Sequence, residues 1–473
     1  MDQALSAARS TSSDPPTGNV SFWQSSLGPL TRRPPLPGPT EADVCVVGAG
    51  YTGLWTAWAL RRAEPDLRVV IVEAAHVGFG ASGRNGGWLS GLLPGNREQW
   101  AKGPGGKDAV ISLQRHLMAA VDDVLAACVE EGIDIDAHKG GTLAVATTPA
   151  QAHRLRAGFV ADQDWGVGPD DAWELTGTEV EARVQIAGAR SGVFSPHCAR
   201  IHPAKLVRGL AEAVERAGVT IFEDTPATGI SPHLVRTSRG DVRARWVVRA
   251  TEGFSATLPG LRRSLLPMNS SMIVTEPLDE AVWADIGWSD AETLRDGAHA
   301  YAYAQRTADG RVAIGGRGVP YRFGSRLDRR GESDPQTARA LAEALHRLFP
   351  ATSEAAIDYS WCGVLGVARD WCPTVALDRE TGLGWAGGYV GDGVTTAHLA
   401  GRTMADLITG ADTKLVRLPW VNTTPPTWEP EPLRWLGVQA IYALYRAADR
   451  TEADGRPKDS GWAVLADRIS GRP

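Results

Sequence analysis

The residues best placed to do chemistry begin at Gly48. Gly48-Ala49-Gly50-Tyr51-Thr52-Gly53 separates a short apolar run, Asp43 to Val47, from a helical pattern carrying Leu54, Trp55, Ala57, Trp58 and Leu60. Glycines at this spacing turn a buried strand into a helix. Gly48 permits the turn, Gly50 lets backbone approach a pyrophosphate, and Gly53 lets helix pack on strand. The first helical amides, at Tyr51 and Thr52, then point at the anion. A second apolar run, Val69 to Val72, ends at Glu73-Ala74, about twenty residues past the glycines, where a carboxylate meets ribose hydroxyls. A glutamate there, rather than an aspartate with an arginine, argues against a 2′-phosphate. The alternative, a purely structural glycine turn, does not require strand, helix, strand and acid in this order.

The next run chooses the dinucleotide. Gly78 to Gly87 is too glycine-rich for a helix or strand, and Gly80, Ala81, Gly86 and Gly87 allow backbone to come close to a large ligand. Ser82, Arg84 and Asn85 offer donors for phosphate or ring oxygens. A nicotinamide-binding chain would continue here into another helical crossover, so FAD is the better reading. The competing reading is a flexible surface loop. A third glycine run, Gly384 to His398, reads as strand, turn and helix. Its turn holds Gly388, Gly391, Asp392, Gly393 and Val394, and the helix presents free N–H groups and a positive dipole end to whatever sits there. A plain strand–turn–helix join is the alternative. For a substrate cavity the candidates are Tyr301 and Tyr303, which alternate with alanine and share a face, and Arg317, which follows a strand and a Gly-Gly pair. Arg317 could hold a substrate carboxylate or form a surface ion pair.

The elements that must position these residues follow from pattern. Residues 1–39 are rich in Ser, Pro, Thr and Gly and form an extended arm, with Phe22-Trp23 as a possible anchor. Val110 to Glu131 has helical spacing closed by Gly132. Gly141 to Thr147 is a strand, Pro149 opens a helix, and Glu174 to Val184 is predicted as another. His202-Pro203 starts a helix, and strands follow at Val219–Phe222 and Trp246–Thr251. Residues 265–325 alternate as an antiparallel sheet, and Ala338 to Phe349 is an amphipathic helix. Past a proline-rich stretch, Leu433 to Tyr445 forms an amphipathic helix, for a membrane, a subunit contact or, by preference, its own chain. The net charge of −6 gives no electrostatic case for nucleic acid or anionic membrane. No run spans a bilayer. The five cysteines lack metal-ligand spacing, no metal site is expected, and a reducing, cytoplasmic setting fits.

These motifs resemble the D-amino-acid oxidase-like FAD-dependent oxidoreductases. The resemblance rests on Asp43 to Leu54, Glu73 and Gly80 to Gly87, and continues in patches to about residue 410. It is closest to the γ-glutamylputrescine oxidase branch. It implies a discontinuous Rossmann-like FAD-binding domain (40–105, 200–262 and 360–411), a mixed or antiparallel-sheet substrate domain (106–199 and 263–359) and a C-terminal extension (412–473). It implies a backbone contact to adenine near Ala227. Ala250-Thr251 partly matches the family's next turn, with Glu252 as an extra residue, and the third glycine turn would face the pyrimidine edge of the flavin. Some relatives tether flavin to a cysteine whose position here is Gly366, with Cys362 and Cys372 out of register, and others to a histidine absent from Ser82 to Gly87. Non-covalent FAD is therefore expected. The lysine that assists oxygen chemistry in relatives falls in Val312-Ala313-Ile314, which has none.

The expected function is oxidation of the C–N bond of a small amine or amino acid by hydride transfer to FAD, with oxygen or an electron carrier as the second partner. A dehydrogenase, an NAD(P)H-dependent monooxygenase suggested by Gly391-Asp392-Gly393, and a non-catalytic flavoprotein are the rivals. His202 is a possible base or a structural residue, and the sequence leaves the oligomeric state unread.

Overall fold

The apolar run before the first glycines extends from Thr40 to Val47 and pairs in parallel with Val69–Val72 and with Asp241–Arg249. Strands covered on both faces read as unbroken apolar runs, and these do. In this computed structural model, residues 20–316, 320–327 and 330–471 are described. The parallel core continues to Thr220–Phe222 on one side and Leu383–Gly387 on the other. Thr374–Asp378 closes that end antiparallel, and the hairpin Ala227–Ser231/Leu234–Thr237 leans on the early half of Asp241–Arg249.

One face of this sheet packs against helices Tyr51–Ala63, Gly106–Glu131, Pro203–Arg216 and Gly393–Thr409, through Leu54, Trp55, Leu113, Leu210 and Met404. The other face is covered by the hairpin and by Leu36, which the N-terminal arm brings in. Residues 1–19 of that arm lie outside the described residues. Its short helix Phe22–Ser25 docks on the body, with Trp23 buried and its indole N–H donating to Asn85 O at 2.9 Å.

The second sheet runs in the order 357–367, 266–275, 312–316, 303–306, 293–296, 142–146, 191–195, 173–176. All neighbours are antiparallel except Thr293–Asp296 with Thr142–Ala146. Two expectations change here. Residue 360, read as a boundary, falls inside strand Ile357–Val367, which pairs with Leu266–Thr275 along its length and so belongs to the second sheet. The helix read from Glu174 is a strand, Trp173–Thr176, followed by helix Gly177–Glu181. Pairing with Ser191–Ser195 captures the strand, and a capping box between Thr176 and Glu179 starts the helix.

The C-terminal helices Leu433–Ala453 and Gly461–Ser470 fold onto the chain itself. Val438 packs with Leu266, Met268 and Val390, and Trp428 donates to Val367 O at 2.8 Å. Among the described residues, no helix is long and apolar enough to cross a membrane.

Candidate active site

At the first glycine turn the backbone leaves no room for side chains. Gly48 has φ +109°, and a Cβ there would lie 2.7 Å from Ala250 O; one on Gly53 would lie 2.0 Å from Gly48 O. Helix Tyr51–Ala63 starts at Gly50 with no side-chain cap of its own. Instead Ser82 Oγ, from the next glycine loop, accepts the Tyr51 N–H at 2.9 Å. Glu73 closes the turn from the side: its carboxylate accepts the amides of Ala49 at 2.8 Å and Ala75 at 2.9 Å. Desolvation raises its pKa against the pull of those amides. Exposed Ala74 follows, and Thr225 N donates to Glu73 O at 2.8 Å, so the strand beginning at Ala227 leaves from beside this acid.

The loop Gly78–Gly87 contains the short turn Ala81–Gly83 and is held from several sides. Ser21 Oγ donates to Gly83 O at 2.5 Å, and Gln305 Nε2 to Gly86 O at 2.6 Å. Gly80 lies against the Phe254 ring, and a Cβ on Gly87 would lie 2.0 Å from Gln305 Nε2. The Asn85 amide donates to Ala81 O and Ser82 O while its oxygen accepts Gly87 N–H. Those bonds shape the loop. Arg84 is buried with its guanidinium 4.6 Å above the Phe79 ring.

The second glycine turn joins strand Leu383–Gly387 to helix Gly393–Thr409. Gly388 (φ +80°), Val390 (φ +56°) and Gly391 (φ +116°) all take left-handed backbone. Asp392, at the cap position, makes no side-chain cap bond, and the buried Thr395 hydroxyl has no partner. The extra residue Glu252 explains itself here. Its carboxylate accepts the amides of Gly388 at 3.3 Å and Tyr389 at 3.0 Å. Desolvation pushes its pKa up to about 7, against those amides and the nearby Arg249. Neighbouring Ala250 donates its N–H to Val47 O, and Thr251 pairs its hydroxyl with Ser255 at 2.8 Å. The two turns touch: Thr52 Oγ1 and Tyr389 OH lie 3.1 Å apart.

A cavity of about 780 Å³ opens from the second turn and the loop Gly78–Gly87. Ala81, Arg84, Asn85 and Gly86 line one side, Val390, Gly391, Asp392 and Val394 another. From the second sheet come Met268, Ser270 and Tyr303, with Tyr301 from the loop before it. Tyr303 OH bonds Ser270 Oγ at 2.9 Å, and its ring fills the space a Cβ would need at both Gly86 and Gly315. Tyr301 precedes the strand, with its ring 6.4 Å from that of Tyr303. Arg317 lies outside the described residues. His202 caps helix Pro203–Arg216 by accepting Lys205 N–H at 3.2 Å, and burial pushes its pKa down to about 4, so its ring is spent on structure. Sequence reasoning missed Met268 and Ser270, although their strand alternation was visible, and the residues of the C-terminal helices that complete the wall.

FAD fits this arrangement. Neither helix start is capped by the side chain of its own cap residue, the first glycine turn admits no Cβ, Glu73 flanks that turn, and a cavity joins the second turn to the second sheet.

Comparison with known proteins agrees. The family model for FAD dependent oxidoreductases matches residues 43–407. Gamma-glutamylputrescine oxidoreductase of Escherichia coli K12 is 31% identical over 375 residues, covering 78% of this chain and 84% of that protein. The probable oxidoreductase OrdL of Haemophilus influenzae is 28% identical over 395 residues, covering 81% and 86%. Among solved structures, glycine oxidase from Geobacillus kaustophilus superposes with a TM-score of 0.68 at 22% identity, over 81% of this chain and 99% of that one.

Proposed function

This chain belongs to the FAD-dependent oxidoreductase family, and on that premise we propose that it oxidises the C–N bond of a small amine or amino acid. The observation that carries the proposal is the single cavity, which joins the loop Ala81–Gly86 and the turn Val390–Val394 to Met268, Ser270 and Tyr303 of the second sheet. The names of the relatives, an oxidoreductase of γ-glutamylputrescine and an oxidase of glycine, support a C–N substrate.

FAD, when bound, supplies the two-electron acceptor. The chain supplies placement and charge. Gly48, Gly50, Gly53 and the amide of Thr52 receive the pyrophosphate, and Tyr51, its amide held by Ser82 Oγ, fixes the helix start. Glu73 and Ala74 take the ribose, and Ala227, Ala250 and Thr251 flank the adenosine. Gly80, Ala81, Ser82, Arg84, Asn85, Gly86 and Gly87 wrap the middle of the cofactor. Gly388, Gly391, Asp392, Gly393 and Val394 bring the second helix N-terminus to the edge where negative charge grows, the form of stabilisation that costs no reorganisation during the reaction. The apolar walls disfavour an ammonium, so the amine reacts neutral. Its lone pair forms the C=N bond as the α-hydrogen leaves as hydride. Water then adds to the imine, the amine part departs, and a carbonyl remains. Tyr301 and Tyr303 orient the substrate. The two sheets divide the work, the first holding the cofactor and the second the substrate.

We assign the electrons finally to oxygen, which takes two with two protons to give hydrogen peroxide. A carrier-linked dehydrogenase is the second reading, favoured by the lack of lysine on strand Val312–Gly316. FAD is held without a covalent bond: none of the five cysteines lines the cavity, and Gly366 lies against the Glu252 carboxylate. Five buried cysteine thiols support a reducing, cytoplasmic setting.

The test is anaerobic. The purified flavoprotein is titrated with amines and amino acids while its visible absorbance is followed. Bleaching by one of them supports the reading, and air then separates oxidase from dehydrogenase by whether the colour returns. Bleaching by NADPH and by no amine overturns it. Acid precipitation that leaves the flavin in the pellet would overturn the non-covalent assignment.

A further inference from the structure

The cavity does not end at the second sheet. Its outer part is walled on one side by helix Pro149–Asp164, through Leu155, Gly158 and Phe159, and on the other by helix Leu433–Ala453, through Gly437, Val438, Ile441 and Tyr442. The second of these lies beyond residue 407, outside the span that defines the family. It is nonetheless tied down firmly. Arg154 pairs with Glu452 at 3.2 Å and with Asp459, His299 Nε2 meets Glu452 at 2.9 Å, and Asp449 accepts the amides of His299 and Ala300. These bonds join both walls to the loop that leads into Tyr301.

Each wall carries a helical glycine that lines the cavity, Gly158 well inside its helix and Gly437 just past the first turn of its own. A Cβ on Gly158 or on Gly437 would meet nothing within 4 Å, and neither residue takes left-handed backbone. Neither packing nor conformation therefore demands glycine at these positions, and glycine weakens a helix interior relative to alanine. What both positions share is free space in the passage. Between them most of the lining is apolar, with Phe159, Leu266, Met268, Val438 and Ile441. Charged residues line it too, and protein neighbours hold them: Asp162 pairs with Arg97, Glu429 with Arg369, Arg154 with Glu452 and Arg434 with Glu431, while Asp467 accepts from Tyr445 OH.

We propose that the C-terminal helix and helix Pro149–Asp164 form a substrate channel kept open by Gly437 and Gly158, and that this channel selects amines bearing an elongated, mostly apolar substituent over compact ones. The proposal rests on the C–N oxidation reading above, and specificity then lies in the C-terminal extension. The ring site takes the inner cavity and the substituent runs outward between the two helices.

The experiment reads ligand binding through the visible absorbance of the bound flavin, without requiring turnover. Hexylamine and benzylamine are titrated against methylamine and glycine, anaerobically, into wild type, Gly437→Phe, Gly158→Phe and Ile441→Trp. Wild type is expected to bind hexylamine at least about tenfold tighter than methylamine. Each enlarged variant should lose about tenfold of hexylamine affinity while FAD content and methylamine affinity hold within about threefold. Should Gly437→Phe fold poorly, Gly158→Phe and Ile441→Trp report on the same channel from other positions. Equal binding of long and compact amines by wild type overturns the channel, as does an unchanged preference in variants with normal FAD content. Hexylamine that binds with this preference and reduces nothing, with no other amine reducing the flavin, sinks the oxidation reading and leaves the channel standing. A glycine-only oxidase with no hexylamine binding does the reverse.

Discussion

The two glycine turns are built to one plan and finished differently. Each follows a parallel strand, opens a helix whose own cap residue makes no side-chain bond, and is braced by a partly buried glutamate that accepts two backbone amides: Glu73 for the first turn, Glu252 for the second. At the first turn backbone presses on backbone. Gly48 meets Ala250 O and Gly53 meets Gly48 O at distances no Cβ tolerates. At the second, a Cβ on Gly388 would make ordinary contacts, with Leu265 at 3.5 Å, Ala368 at 3.6 Å and Cys372 O at 3.8 Å, and the left-handed residues Val390 and Gly391 line the cavity. The closed turn suits a ligand part that never changes, the pyrophosphate. The open one suits the part that reacts, because its amides must face both ring and substrate.

The largest expected effect comes from breaking this difference. Gly53→Ala puts a methyl 2.0 Å from Gly48 O, so the helix must move off the strand. Purified protein should lose most of its flavin, read as the visible-to-ultraviolet absorbance ratio. Gly388→Ala keeps its space and costs only left-handed strain, about 1–2 kcal/mol. Its FAD affinity should fall by about tenfold or somewhat more. If both variants kept full flavin, the closed turn would not be the anchor.

The two glutamates sharpen the comparison. Glu73→Gln removes a charged acceptor from the ribose position, worth about 1.5–3 kcal/mol, so FAD should bind roughly 10- to 100-fold more weakly. Glu252→Gln should show instead in pH dependence. A folded pKa of about 7 lies above the unfolded value, so the carboxylate costs nothing at pH below the unfolded pKa. As pH rises through 7 the folded state must carry the charge, and the cost is complete above it. Melting of wild type should therefore worsen relative to Glu252→Gln between pH 5 and pH 8. A melting difference that stayed flat across that range would remove Glu252 as a titrating brace.

How legible each region was follows from the range of its contacts. The first turn could be read because its strand, glycines, helix and acid follow one another within about thirty residues. Glu252 could only be marked as an extra residue, since its partners, Gly388 and Tyr389, lie more than a hundred positions away. Asn85 lines the cavity, and its amide also bonds carbonyls of its own loop, because amide side chains in tight turns compete for local carbonyls, a double use the sequence does not mark. The capping role of His202 was half visible in its place before Pro203. The alternation of Tyr301 and Tyr303 marked a cavity face without naming its far wall. That wall comes from the C-terminal helix, whose amphipathic pattern gave a buried stripe and no address.

Tyr303 carries the smallest effect and separates positioning from filling. Its hydroxyl bonds Ser270 at 2.9 Å, while its ring occupies the space left by Gly86 and Gly315 and sits edge-on to Trp88 at 6.0 Å. Tyr303→Phe keeps the ring and frees one hydroxyl, a loss of about 1 kcal/mol, so kcat/KM should fall about fivefold with FAD content unchanged. Tyr303→Ala removes the wedge from both glycines and should cost more, through the loop Gly78–Gly87 as well as through the substrate. If Phe and Ala behaved alike, the hydroxyl rather than the ring would carry the residue's work, and Ser270→Ala should then reproduce the same loss.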